Sequence, residues 1–324
     1  MDLWKKLFDY LNTDNCCNIK NLNLQQGHAG NQDVYVMNLC DISGMNNFMK
    51  EIEPEANDNL YIDPSYKLFI AVIPSTSKYF IDLFCCKISM ENIYNKFADY
   101  GLAIEGCFNI EPITLLPNFY QGREFGSDDM LTMTGKEINL NPSYLVIDNH
   151  SILRILNKQG LEQYKPLGIN VQYVEGYQLY EKGKPSLDLS EMKNIIIDGK
   201  QISGKNVTID YNNLKIQANN MYYDFSDIGS KLIFQDERMF DTNNGLLVIA
   251  IDDNDNIFIV YHPHIDYFNM MLLLKIFNSK EAIIICSSSN AHIIWKENGY
   301  NTYNKTDFIG NPSDILSNII TFSA

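Results

Sequence analysis

The densest apolar pattern in the chain runs from Gly245 to Ile294. Two β-branched runs, Gly245 to Ile251 and Ile257 to His262, flank the polar stretch Asp252-Asp253-Asn254-Asp255-Asn256. That alternation of runs and turn predicts a hairpin. Asp266 to Phe277 is apolar all round, which predicts a helix buried on nearly every side. Ala282 to Ile285 reads as a buried strand that stops at Cys286-Ser287-Ser288-Ser289-Asn290. A strand ending in small polar residues is a natural place for a site.

Upstream the pattern is thinner. Residues 1 to about 29 read as a short amphipathic helix, with Leu3, Trp4, Leu7, Phe8 and Leu11 on one side, followed by a polar connector. Strand-like runs follow at Asp33–Cys40, Lys67–Ile73 and Tyr79–Lys87. Ser89 is a good N-cap for a helix near 90–100, and Gly101 stands where its C-terminal cap belongs. Leu102 to Phe108 is a short strand running into a glycine turn. Asn109 to Asp129, with Pro112, Pro117, Gly122 and Gly126, predicts a long loop. The regions 130–140, 144–155, 168–180 and 195–234 are strand-rich and broken by turns. Short strands, about two principal helices and no alternating βαβ units predict an α+β fold of mainly antiparallel sheet, one domain over 30–324.

Composition narrows the functions. The 324 residues hold 25 Lys and Arg against 40 Asp and Glu, a net charge of -15. Nucleic acid and anionic membrane surfaces would repel such a chain. No apolar run approaches ~20 residues, so no membrane insertion is expected. Seven cysteines without metal spacing, and no export signal, predict reduced thiols and a cytoplasmic protein. Abundant Asn, Ile and Lys fit an AT-rich genome, and for a virus that setting would be the host cytoplasm. No glycine-rich phosphate loop of standard spacing occurs, and no cofactor is expected.

Several short segments carry a resemblance. The helix expected from Met90 leads into Ala103-Ile104-Glu105-Gly106-Cys107-Phe108. Gly176-Tyr177-Gln178-Leu179-Tyr180-Glu181-Lys182-Gly183-Lys184 follows. The hairpin, the helix and Ile285-Cys286-Ser287-Ser288-Ser289-Asn290-Ala291 come next, then Ser317 to Phe322. In order and framework this resembles the phosphodiester glycosidase family, from about residue 30 to the C-terminus. The resemblance implies a glycan or sugar-phosphate ligand in one cleft built from two glycine-rich turns. The departures fall on the chemistry. The family's Asp-Gly-Gly is Cys286-Ser287-Ser288 here, and its Asn-Gly-Gly is Glu105-Gly106-Cys107. Its Arg-Thr pair falls near Leu246-Leu247. Losing the carboxylate, the arginine clamp and the glycines predicts binding with weak or no hydrolysis. The other readings are an active hydrolase with replaced groups and a structural protein keeping only the framework.

Candidate site residues follow from these segments. Glu105, with Asp128 or Asp129, could serve as an acid–base pair. Cys286, with His292 close in sequence, could be a nucleophile and base, or a small buried residue. Gly106, Cys107, Ser287, Ser288 and Asn290 are candidate ligand contacts. His262-Pro263-His264 with Asp266 could converge on a metal or substrate, or simply end a strand and cap a helix. Asp252 to Asn256 lacks the Gly and Glu that a calcium loop needs and reads as a turn.

Overall fold

The computed structural model describes residues 17–26, 29–39, 62–63, 65–66, 68–75, 80–89, 92, 102–105, 109–110, 113–114, 118–120, 123–125, 142–147, 152–164, 172–186, 195–197, 199–210, 213, 215–224, 232–234, 245–286, 291–296, 306–309 and 315–323. Two sheets dominate. The larger has 12 strands. Along its main path lie β1 (Cys17–Gln26), β2 (Ala29–Leu39), β3 (Leu68–Ile73), β10 (Ile257–His262), β9 (Leu246–Asp252), β11 (Ser279–Cys286), β8 (Gln172–Glu181), β6 (Pro142–Ile147) and β7 (Leu153–Asn157). The second sheet has five strands, in the order β13 (Thr306–Ile309), β12 (Ile293–Lys296), β5 (Leu102–Glu105), β14 (Ile315–Ser323) and β4 (Phe80–Ser89). Their neighbouring strands pair antiparallel, as the short runs and hairpin turns predict.

Packing follows from the two-residue period of a strand. Leu247, Ile249 and Ile251 of β9, Ile257, Ile259 and Tyr261 of β10, and Phe69, Ala71 and Ile73 of β3 share one core. Ile81 and Leu83 of β4, Leu102 and Ile104 of β5, Ile293 of β12, and Ile320 and Phe322 of β14 complete it from the second sheet. The alternate positions of the large sheet are equally buried, because helix α2 (Tyr267–Ile276) covers that face. Tyr267 Oη donates to the Gln178 carbonyl at 3.1 Å and Tyr180 Oη to the Met271 carbonyl at 2.9 Å. Phe258 stacks on Phe277 with ring centroids 5.0 Å apart. Strands buried on both faces read as continuous apolar runs, which is why 246–286 stands out in the sequence. Each such Ile, Leu or Phe stabilises by about 1.5–3 kcal/mol.

The hairpin turn is held by its own side chains. Asp252 Oδ1 accepts from Asn254 N at 2.9 Å and Asn256 N at 2.8 Å, and Oδ2 accepts from Asn256 Nδ2 at 2.8 Å. These bonds make an Asx turn, with Asp255 at φ 59°. Gly176 marks a close approach between β8 and β11, since a Cβ there would lie 2.3 Å from the Ile284 carbonyl oxygen.

Some expectations change. The polar connector expected before residue 30 holds β1, whose CNIKNLNLQQ pairs along β2. The expected loop 109–129 contains short strands at Asn118–Tyr120 and Arg123–Phe125, the first paired with β8. A short helix, α1 (Lys158–Tyr164), was not expected; Asn157 Oδ1 caps it by accepting from Gly160 N at 2.9 Å. Apart from Asn92, the helix expected near 90–100 lies outside the described residues, as does the N-terminal one. Small antiparallel sheets occupy 195–234 as short strands. Among the described residues no helix is long and apolar enough to cross a membrane.

Candidate functional site

Strand β5 ends at Glu105, and β12 begins at Ile293 opposite Ile104. That register sets Glu105 beside His292. Glu105 N donates to the His292 carbonyl at 2.9 Å, and His292 N donates back to Glu105 Oε2 at 3.3 Å. The same oxygen lies 3.1 Å from His292 Nδ1. An ionised carboxylate only accepts, so Nδ1 carries the proton in this contact. Glu105 is 6% exposed and His292 7%. They alternate with the core positions Ile104 and Ile293, so they lie on the other face of the second sheet. Thr321, also buried, stands on that face opposite Ala103.

The next residue back is held from the opposite side. Ala291 N donates to Tyr261 Oη at 3.3 Å, and Tyr261 belongs to the core between the sheets. Burial pushes the Tyr261 phenol well above its usual range. The Ala291 N–H opposes that shift, while the charges of Cys286 and Glu105 add to it. The hydroxyl therefore stays protonated and is within electrostatic reach of both groups. Cys286 closes β11 opposite Leu247 as a buried, reduced thiol. The large sheet's β11 thus ends at Cys286, and the second sheet opens at a clasped pair, Ala291 under Tyr261 and His292 under Glu105.

His262 belongs elsewhere. It follows Tyr261 in β10, so it points to the helix-bearing face, away from Glu105 and Cys286. Its Nδ1 accepts from His264 N at 3.1 Å, since a backbone amide can only donate. Nε2 therefore carries the hydrogen and donates to the Asp63 carbonyl at 3.2 Å. Burial lowers the His262 pKa from 6.5, and the bond to Asp63 opposes that shift only in part. His264 stacks on Tyr66 with centroids 3.9 Å apart. Asp266 is the N-cap of α2, accepting from Phe268 N at 2.9 Å and Asn269 N at 3.0 Å, with its second oxygen on Asn269 Nδ2. Burial raises the Asp266 pKa, against those donors. The three residues expected to converge on a metal thus hold a corner and a cap. Among the described residues no group of three or more His, Cys, Asp or Glu could hold a metal ion.

The structure therefore brings Glu105 and Cys286 to one region and separates His262 from both. Gly106, Cys107, Asp128, Asp129, Ser287, Ser288 and Asn290 lie outside the described residues. Sequence reasoning missed Tyr261, which reads as one more apolar residue in a run. It also tied His292 to Cys286, whereas its bonded partner is Glu105, 187 positions away.

No protein-family model matches the chain, and no curated protein matches it in sequence. Solved structures do. One is the zebrafish N-acetylglucosamine-1-phosphodiester alpha-N-acetylglucosaminidase catalytic domain, auto-inhibited by its pro-peptide. It is 11% identical, with a TM-score of 0.49, over 95% of this chain and 88% of that one. A hypothetical protein from Synechocystis is 10% identical, with a TM-score of 0.41, over 94% of this chain and 63% of that one. A putative exported protein from Burkholderia pseudomallei is 7% identical, with a TM-score of 0.35, over 99% and 89%.

Proposed function

We propose that the chain binds a sugar phosphate or glycan at the segment between β11 and β12, with weak or no hydrolysis. The observation that carries this reading is the clasp. Tyr261 holds Ala291 and Glu105 holds His292, the residues that follow Ser287, Ser288 and Asn290 in sequence. Cys286, in β11, precedes that stretch. Anchoring a binding turn lowers the ordering cost that a ligand must otherwise meet. In the same arrangement the Glu105 carboxylate is buried and accepts from residue 292, a structural use that argues against its facing a bond to be cut. The sequence departures already noted remove the Asp and Arg that the resemblance would supply, and one lost transition-state group typically costs about 3 kcal/mol.

One observation favours a second reading, an active hydrolase. A carboxylate on His Nδ1 is how general bases are oriented, leaving Nε2 to exchange the proton. Calorimetry with a sugar 1-phosphate and a sugar phosphodiester, alongside an assay for released sugar, separates the two. Binding without turnover, weakened by Ser288→Trp, is expected. Rapid sugar release that Glu105→Gln abolishes in a folded protein would replace the first reading with the second. No binding of either compound would remove both.

A further inference from the structure

A separate cleft lies between α2, the end of β8 with its turn, and the small sheet 207–224. It has a volume of about 1060 Å³, within reach of the upper range for small-molecule sites. Its floor includes Met271 and Leu272 of α2 and Ile209. Lys184 comes from the turn after β8, Lys275 from the last turn of α2, and Lys215 from the small sheet 207–224. Asp210 also lines it; it pairs across the strands with Lys215 and accepts from Asn213 N at 3.1 Å and Nδ2 at 2.7 Å. Three lysines against one aspartate give the lining a charge of +2, in a chain whose net charge is -15. A local reversal of sign in an acidic molecule focuses anions there. Tyr222 lines the same cleft and is 67% exposed, a ring with nothing over most of its surface.

We propose that this cleft is a binding site for a nucleotide-sized organic phosphate, its phosphate groups on Lys184 and Lys275 and its ring against Tyr222. The volume exceeds what a bare phosphate fills, and the lysines and the tyrosine supply the two halves of such a ligand. Lysine meets phosphate as a mobile point charge, and an exposed aromatic ring stacks on a base or the apolar face of a sugar. Lys184 and Lys275 stand on the turn-and-helix side of the cleft, across from Tyr222 on the small sheet. This site is distinct from the clasped segment, and the two stand or fall separately.

The test titrates the full chain with a nucleoside diphosphate, a hexose 1-phosphate and inorganic pyrophosphate at low and high salt. Binding of the nucleoside diphosphate or the hexose phosphate is expected, weakening as salt rises. Lys184→Glu with Lys275→Glu should weaken it by at least about tenfold. Tyr222→Ala should weaken the ring-bearing ligand but not pyrophosphate, while the exposed control Lys200→Glu should change neither. Because the altered side chains are exposed, thermal melts of the variants should match the parent. Binding insensitive to the lysine pair, or lost instead in Ser288→Trp, would move the ligand to the clasped segment and overturn this assignment. Absence of binding by all three compounds would also overturn it.

Discussion

Two buried histidines among the described residues teach opposite lessons. His262 sits in a sequence that advertises chemistry, His-Pro-His followed by an aspartate, yet both its ring nitrogens are taken by backbone, Nδ1 by His264 N and Nε2 by the Asp63 carbonyl 199 positions away. His292 sits in an unremarked stretch, yet its ring meets a carboxylate from a distant strand. Proximity in sequence made the first look like a site, because a turn and a helix cap use the same polar residues as a ligand set. The second exists only after β5 and β12 have found their register.

The largest expected effect bears on the Glu105–His292 contact. His292→Ala removes the imidazole from a buried carboxylate and opens a cavity, which together cost about 3–5 kcal/mol. Urea denaturation should show it as a fall in midpoint. His292→Ala combined with Glu105→Gln should cost less than the sum of the two single changes, because both remove the same contact. Additive costs would show that the pair is not coupled.

Next comes His262→Ala. It strands His264 N and the Asp63 carbonyl and opens a cavity, for about 3 kcal/mol in all. The same residue sets a pH dependence. Its folded pKa lies below the unfolded value of 6.5, so below that pH the unfolded chain binds more protons. Stability is therefore lost as pH falls from about 6.5 toward the lower folded pKa. Protonation at Nδ1 would face the His264 N–H, which gives the loss a structural cause. A stability profile from pH 7.5 to 5 should slope downward on the acid side in the parent and flatten in His262→Gln. An equal slope in both would assign the dependence to other groups.

Smaller still is Tyr261→Phe. It removes the acceptor of the Ala291 N–H while keeping the ring, at about 1 kcal/mol. Its sharper readout is local: faster hydrogen exchange at Ala291 than at neighbouring Ile293. Smallest of all is the response to zinc. With His262 saturated and Asp266 committed to the cap, added zinc should leave the melting temperature unchanged, and a stabilising shift abolished by His262→Gln would contradict that geometry.

Much of the fold was legible wherever burial on two faces left its mark. The strands and helix from 246 to 286 emerge because most positions there are apolar or turn formers. The polar β1 did not, since Ile19, Leu22 and Leu24 are scattered among Asn and Gln, and its pairing with β2 defines it. Nor did α1, seven residues long with Leu161 as its main buried contact. At the candidate site, Glu105 and Cys286 were legible as strand ends. The role of Tyr261 was not, because a hydroxyl acting on a backbone amide 30 residues away leaves no periodic trace.

Gly176 has a consequence for assembly. Any Cβ at that place in β8 would collide with the Ile284 carbonyl, and backbone cannot swing aside as a side chain can. Sliding β8 by one residue against β11 would bring Glu175 or Tyr177 to the same point. Both are too large, and the slip would also turn every neighbouring side chain to the wrong face. The missing methyl group thus acts as a key cut for one alignment of β8 against β11.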